Sequence, residues 1–302
     1  MKRYFHGENK TGPYFEGWYF KCRQADGSTV ALIPALHIDA SGRRSASVQV
    51  IAPGGVWWLE YPQEEFSASQ QQLRVQLGNN LFSESGITLK IEKPGISVHG
   101  TLQFGPFLRL ESDIMGPFRF LPNMECTHGV ISMAHSLQGQ LVLNGTALDF
   151  SGGTGYIETD RGRAFPNRYL WTQCTFPGGS LMLSIASIPF SGLRFTGCIC
   201  AIVHKGEEYR LATYRGVRVE RWSDDGAVIR QGKYRLQIDV LEKQPQPLRA
   251  PVNGIMGRTI HESICTRVRC RFWCGDRLLF YRTDDHGSFE YATLPEDNDG
   301  ND

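Results

Sequence analysis

Short runs of alternating or continuous apolar residues, separated by turn residues, follow one another from residue 29 to residue 283 and leave little room for helix. SASVQVI (45–51), QQLRVQL (71–77), GITLKIE (86–92) and ISVHGTLQF (96–104) carry the period-two pattern of half-buried strands. GVISMAH (129–135) and QLVLNGTALDF (140–150) continue it, and Asn144-Gly145 between alternating segments is a strong hairpin signal. The second half keeps the same style in GSLMLSIASI (179–188), GCICAIVH (197–204), KYRLQIDVLE (233–242) and CTRVRCRFWCGDRLLFYRT (265–283). Only 62–69 and a turn near 161–167 leave space for a helix, so the chain reads as all-β and antiparallel.

The two halves also resemble each other. Trp18, Cys22, Gly27-Ser28 and the run ending IPALHI match Trp171, Cys174, Gly179-Ser180 and the run ending SIASIPF. Near the other end, Gly145, Phe150, Gly155, Tyr156 and Glu158 match Gly275, Phe280, Gly287, Phe289 and Glu290. The shared order implies two copies of one β unit of about 130 to 150 residues, and closing a sheet into a barrel is the usual way to remove its edges. The expected architecture is therefore two tandem lipocalin-like antiparallel β-barrel or half-barrel domains related by internal duplication. The boundary falls at 160/161, with an N-terminal domain over 1–160 and a C-terminal one over 161–302. The acidic LPEDNDGND (294–302) at the end has almost no apolar residues and is expected to be disordered.

A net charge of +1 gives no electrostatic reason to expect nucleic acid or an anionic membrane surface. No run approaches the roughly 20 apolar residues of a membrane-spanning helix, and the first residues lack a signal-peptide core, so the chain reads as cytoplasmic with no integral membrane segment. Eight cysteines in 302 residues, with no CxxC, suit reduced buried thiols better than a disulfide framework. Neither HxH nor HExxH occurs, so no metal site is expected.

Two stretches concentrate ionisable groups among aromatics. In PYFEGWYFK (13–21), alternation sets Glu16 between Tyr14 and Trp18 on one strand face and Tyr19 on the other. In GYIETDRGRAFPNRYLWTQC (155–174), Glu158, Asp160 and Arg161 are interleaved with Tyr156, Tyr169 and Trp171. Such a crossover between units suits a pocket wall. The structural alternative for both stretches is that the carboxylates are tied to arginines or backbone amides.

These segments, with GNNLFSESGI (78–87), MECTHGVISMAH (124–135) and LWTQC (170–174), resemble the tocopherol cyclase family over nearly the whole chain, with a more distant similarity to lipocalin-like carotenoid hydratases and certain fungal pericyclases. The resemblance implies two β-barrel domains and an apolar cavity at or between them. It also implies cofactor-independent closure of a chromanol ring: an alkene on a prenylated hydroquinone is protonated, and the phenolic oxygen captures the cation.

That chemistry needs an acid, a water-excluding apolar cavity and an acceptor for the phenolic proton. Glu158 and Glu16 are the candidate acids, and His128 is the candidate base with Gln173 orienting it. Trp18, Tyr19, Tyr156 and Trp171 are candidate cavity walls whose π faces favour a cation. Asp160 and Arg161 are candidate substrate contacts, with Arg161 expected to hold Asp160 ionised. Two positions of the family motif, Thr159 and Arg161, usually carry Lys and Trp, so the substrate is left open among prenylated quinols, terpenoids and similar hydrophobic molecules. The alternative to an enzyme is a non-catalytic carrier of a hydrophobic small molecule, whose carboxylates would be closed off in salt bridges.

Overall fold

The computed structural model describes residues 4–121, 124–190 and 193–293, so the acidic end of the chain (294–302) lies outside the described residues. The first sheet is built from β1 (Tyr14–Arg23), β2 (Thr29–Ile38), β3 (Arg44–Ala52), β4 (Gly55–Tyr61), β5 (Phe66–Ala68), β6 (Arg74–Leu77), β7 (Asn80–Ser83), β8 (Gly86–Lys93), β9 (Ile96–Phe104), β10 (Cys126–Leu143), β11 (Thr146–Asp149) and β12 (Thr154–Gly162). The second takes β13 (Arg168–Phe176), β14 (Gly179–Phe190), β15 (Leu193–His204), β16 (Glu207–Ala212), β17 (Arg218–Ser223), β18 (Gly226–Gln231), β19 (Tyr234–Glu242), β20 (Gln246–Val252), β21 (Ile255–Cys274) and β22 (Arg277–Thr293). All pairings are antiparallel, as the turn-punctuated alternation requires. No helix among the described residues is long and apolar enough to cross a membrane.

Both sheets follow one plan. The 12-stranded sheet runs β4-β3-β2-β1-β12-β10-β9-β8-β7-β6-β5, with β11 on β10; the 10-stranded sheet runs β16-β15-β14-β13-β22-β21-β19-β18-β17, with β20 on β21. In each, the first strand of the unit pairs with its last. Each path stays open where the chain passes through a single 3-10 turn, Gln63–Glu65 in one sheet and Thr213–Arg215 in the other. The sheets are therefore not closed, and the half-barrel form of the expectation is the one observed.

Local details follow turn chemistry. Asn144 and Gly145 take positive φ of 48° and 81° between β10 and β11, the geometry a two-residue hairpin needs. The span 161–167 is not helical: β12 runs through Gly162, and an irregular crossover leads into β13. The eight cysteines are free, as buried or half-buried thiols.

Each sheet buries one face in a core of its own, around Trp18, Phe20, Phe82 and Phe150 in the first and Leu170, Leu183, Phe272 and Phe280 in the second. The opposite faces of the central strands pack against each other in a third cluster that includes Tyr19, Met133, Tyr156, Tyr169, Trp171 and Ile260. Because side chains alternate, one strand serves two cores: Leu170 and Cys174 face inward on β13, while Tyr169 and Trp171 face the other sheet. Polar bonds tie this interface. Gln49 on β3 both donates to the Arg249 carbonyl at 3.0 Å and accepts from its amide at 2.9 Å, and Ser180 donates to the Met133 carbonyl at 2.7 Å.

Candidate active site between the sheets

A cavity of about 160 Å³ opens within the inter-sheet layer. Strand alternation decides what enters it. On β1, Phe15, Gly17 and Tyr19 line the cavity, while Glu16 and Trp18 point into the core of the first sheet. On β12, Glu158 and Asp160 line it, while Ile157 belongs to that core. Apolar groups such as Ile33, Ala35, Ile188 and Leu248 supply most of the wall, and exposed Arg249 with half-buried Met256 marks where it meets solvent.

Five carboxyl groups line this space, and one of them, Glu125, pairs with Arg163 at 3.9 Å. Glu158 is 5% exposed and its Oε2 accepts from the Tyr156 hydroxyl and from Trp171 Nε1 at 3.1 Å. Burial pushes its pKa up to about 8; the His128 cation pulls the other way, and the Asp160 carboxylate adds to the rise. His128, directly opposite Asp160 in the β10–β12 register, bonds Asp160 Oδ1 through Nδ1 at 2.9 Å, and its Nε2 stands 3.4 Å from Glu158 Oε2. Burial works against charge on this ring, but Asp160 and Glu158 outweigh it and raise its pKa to about 9. On the second sheet, Glu262 accepts from the Tyr19 hydroxyl at 2.6 Å and is raised by burial to about 7, while Glu290 accepts from the Tyr169 hydroxyl and is raised by burial well above the usual carboxylate range. Among the described residues, no Arg or Lys lies within ion-pair distance of Glu158, Glu262 or Glu290.

Of the residues read from the sequence, the cavity brings together Glu158, His128, Asp160, Tyr19 and Trp171. Tyr156 stands behind them, fully buried, as a donor to Glu158. Glu16 is elsewhere: its carboxylate accepts from the amides of His6 and Gly7 at 2.9 and 3.0 Å, from Tyr14 Oη at 2.8 Å, and pairs with His6 Nδ1. That is the backbone-tied alternative, realised in the first core. Trp18 packs in the same core. Arg161 pairs with Glu16 in register and shares its face, so Asp160 is held by His128 and not by Arg161. Gln173 does not reach His128; it accepts from Lys21 Nζ at 3.3 Å and donates to Thr175, leaving Asp160 to orient the imidazole.

Glu262, Glu290 and Tyr169 were missed as site residues, although the repeat match of Glu158 with Glu290 carried a signal for one of them. The register also shifts that match: Tyr19 pairs with Glu158 and Trp171 pairs with Glu290, so Tyr19, not Trp18, is the counterpart of Trp171.

His128, Glu158 and Asp160 present possible metal-ligand atoms within 4.8 Å of one another. Glu158 Oε2 accepts two donors and Asp160 Oδ1 accepts from both His128 and Cys126, while the buried His128 Nε2 has no hydrogen-bond partner. The hydrogen-bonded part of the set is Asp160 with His128, and Glu158 joins it at ion-pair distance.

No protein-family model matches the sequence, and no curated protein sequence matches it significantly. The fold is found among solved structures. CghA, solved with Sch210972, has a TM-score of 0.61 at 14% identity, covering 93% of this chain and 89% of the other. A putative AttH from Nitrosomonas europaea gives 0.53 at 14% identity, with 92% of each chain covered. Kievitone hydratase from Nectria haematococca gives 0.54 at 11% identity, with 96% and 93% covered. Identities this low establish likeness of fold: an all-β chain of two large antiparallel sheets.

Proposed function

We propose that this protein is an enzyme of the tocopherol cyclase type, performing cofactor-independent, acid-initiated chemistry on a hydrophobic alkene-bearing molecule such as a prenylated quinol or a terpenoid. The observation that carries the reading is Glu158: a carboxyl on an apolar cavity, neutral near pH 7, accepting from Tyr156 and Trp171 and next to a cationic imidazole. A carrier would have closed its carboxylates with arginines, as Arg163 does Glu125, but Glu158, Glu262 and Glu290 have no such partner among the described residues.

In this reading Glu158 donates its proton to the alkene, and the carboxylate left behind is stabilised by His128, which Asp160 holds protonated. The faces of Tyr19, Tyr169 and Trp171 favour the developing carbocation. An apolar cavity of about 150 Å³ accepts a benzene-sized group, so about 160 Å³ suits one ring or one folded isoprenoid unit, with the remainder of a longer molecule running toward Met256 and Arg249. Two solved structures of this fold are compatible with the reading: one is a hydratase, an activity that adds water across a double bond, and the other was solved with a small organic compound.

The test is to incubate wild type and Glu158→Gln with prenylated hydroquinones and unrelated terpenoids. Wild type is expected to convert at least one, and Glu158→Gln to lose roughly 10²–10⁴-fold in rate. If both proteins return every ligand unchanged but retain it, the protein is a carrier.

A further inference from the structure

Ring closure needs a second proton transfer. When the phenolic oxygen bonds the cation, its proton must leave, and the imidazoles on the cavity are not the groups to receive it. The His128 ring is already protonated and bonded to Asp160. His37 also lines the cavity, but burial lowers its pKa to about 4, too low for a useful base.

The opposite wall holds a carboxyl pair. Glu262 on β21 and Glu290 on β22 stand directly opposite each other in register, 2% and 6% exposed, and both line the cavity. Each accepts a tyrosine hydroxyl, Tyr19 for Glu262 at 2.6 Å and Tyr169 for Glu290. Two neighbouring buried carboxyls without an ion-pair partner hold one proton more readily than none. The nearby Lys21 ammonium favours the ionised form of Glu262, which makes Glu290 the protonated member.

We propose that Glu262, seated opposite Glu290, is the catalytic base that removes the phenolic proton during ring closure. The proposal rests on the acid-initiated reading above. The Glu158 O–H bond breaks as a C–H bond forms from the alkene π electrons, leaving a tertiary cation. A lone pair of the phenolic oxygen then forms the C–O bond. The phenolic O–H breaks with its electrons remaining on oxygen, and its proton passes to the Glu262 carboxylate. The cycle is completed by return of one proton from Glu262 to Glu158 through solvent, and no oxidant or reductant is needed.

The experiment is turnover of a prenylated hydroquinone in D₂O by wild type, Glu158→Gln and Glu262→Gln, following ring-closed product, alkene isomers and deuterium at the alkene carbons. Glu262→Gln is expected to keep placing deuterium on those carbons and releasing alkene isomers, while ring-closed product falls roughly 10²–10⁴-fold. The proposal is overturned if Glu262→Gln closes the ring at the wild-type rate, or if it loses deuterium incorporation together with closure while melting like wild type. If Glu262→Gln does not fold, Glu262→Asp reads the same partition: a higher ratio of alkene isomers to closed product supports the proposal, and an unchanged ratio overturns it. Wild type that neither incorporates deuterium nor closes a ring defeats the acid-initiated reading and this proposal together. Loss of incorporation in Glu158→Gln alone, with Glu262→Gln fully active, defeats only the proposal.

Discussion

Glu158 and Glu16 present the same pattern in the sequence, a carboxylate framed by aromatics on a strand, and burial of both follows from that pattern. Their fates differ because Glu16 faces its own sheet's core, where two amides and a tyrosine hydroxyl satisfy the carboxylate, whereas Glu158 faces the other sheet. Which strand face meets a second sheet depends on packing between units, and alternation alone cannot distinguish the two faces. The raised pKa of Glu158 has a sign that can be checked. The neutral form is favoured on folding, so its contribution to stability is complete below the unfolded value near 4.5 and is lost as pH rises through about 8. Glu158→Gln keeps a neutral acceptor for Tyr156 and Trp171, and it should therefore melt higher than wild type at pH 8 and match it at pH 4. A variant that melts lower at pH 8 contradicts the assignment. Activity that depends on the protonated acid should fall as pH rises through about 8.

Among elements, the strands were largely legible because alternation and turn residues agree, as in the β10–β11 hairpin at Asn144-Gly145. What sequence similarity blurred was register. Matching Trp18 with Trp171 is natural by residue type, yet the ladders equate Tyr19 with Trp171, a one-residue shift that exchanges strand faces. The β20–β21 turn shows how tightly the halves are keyed. Gly254 has φ of +80°, and a methyl group there would lie 1.9 Å from the Ile38 carbonyl oxygen and 2.5 Å from the Tyr14 amide nitrogen. Gly254→Ala is expected to cost about 1–3 kcal/mol, seen as a lower urea midpoint. An unchanged midpoint would mean that this turn does not anchor one sheet to the other.

For the whole molecule, the repeated strand order makes each sheet an open half-barrel with its own core, and the candidate cavity lies between the two. The duplication was legible in ordered matches, but the inter-sheet position of the site was not. Glu262 sits in an unremarkable segment, HESIC, and becomes a site residue only when β21 faces β1 and its carboxyl meets Tyr19. Combining two faces in this way brings buried carboxyls from both units into one low-polarity space, where burial raises the pKa of Glu158, Glu262 and Glu290. Infrared difference spectroscopy of wild type against Glu158→Gln at pH 7 tests this most directly. A carboxylic-acid C=O band present in wild type, absent from the variant and titrating away as pH rises through about 8 is the predicted result. A difference confined to carboxylate bands at pH 7 would contradict the account, because Glu158 would then already be ionised and unable to act as the acid.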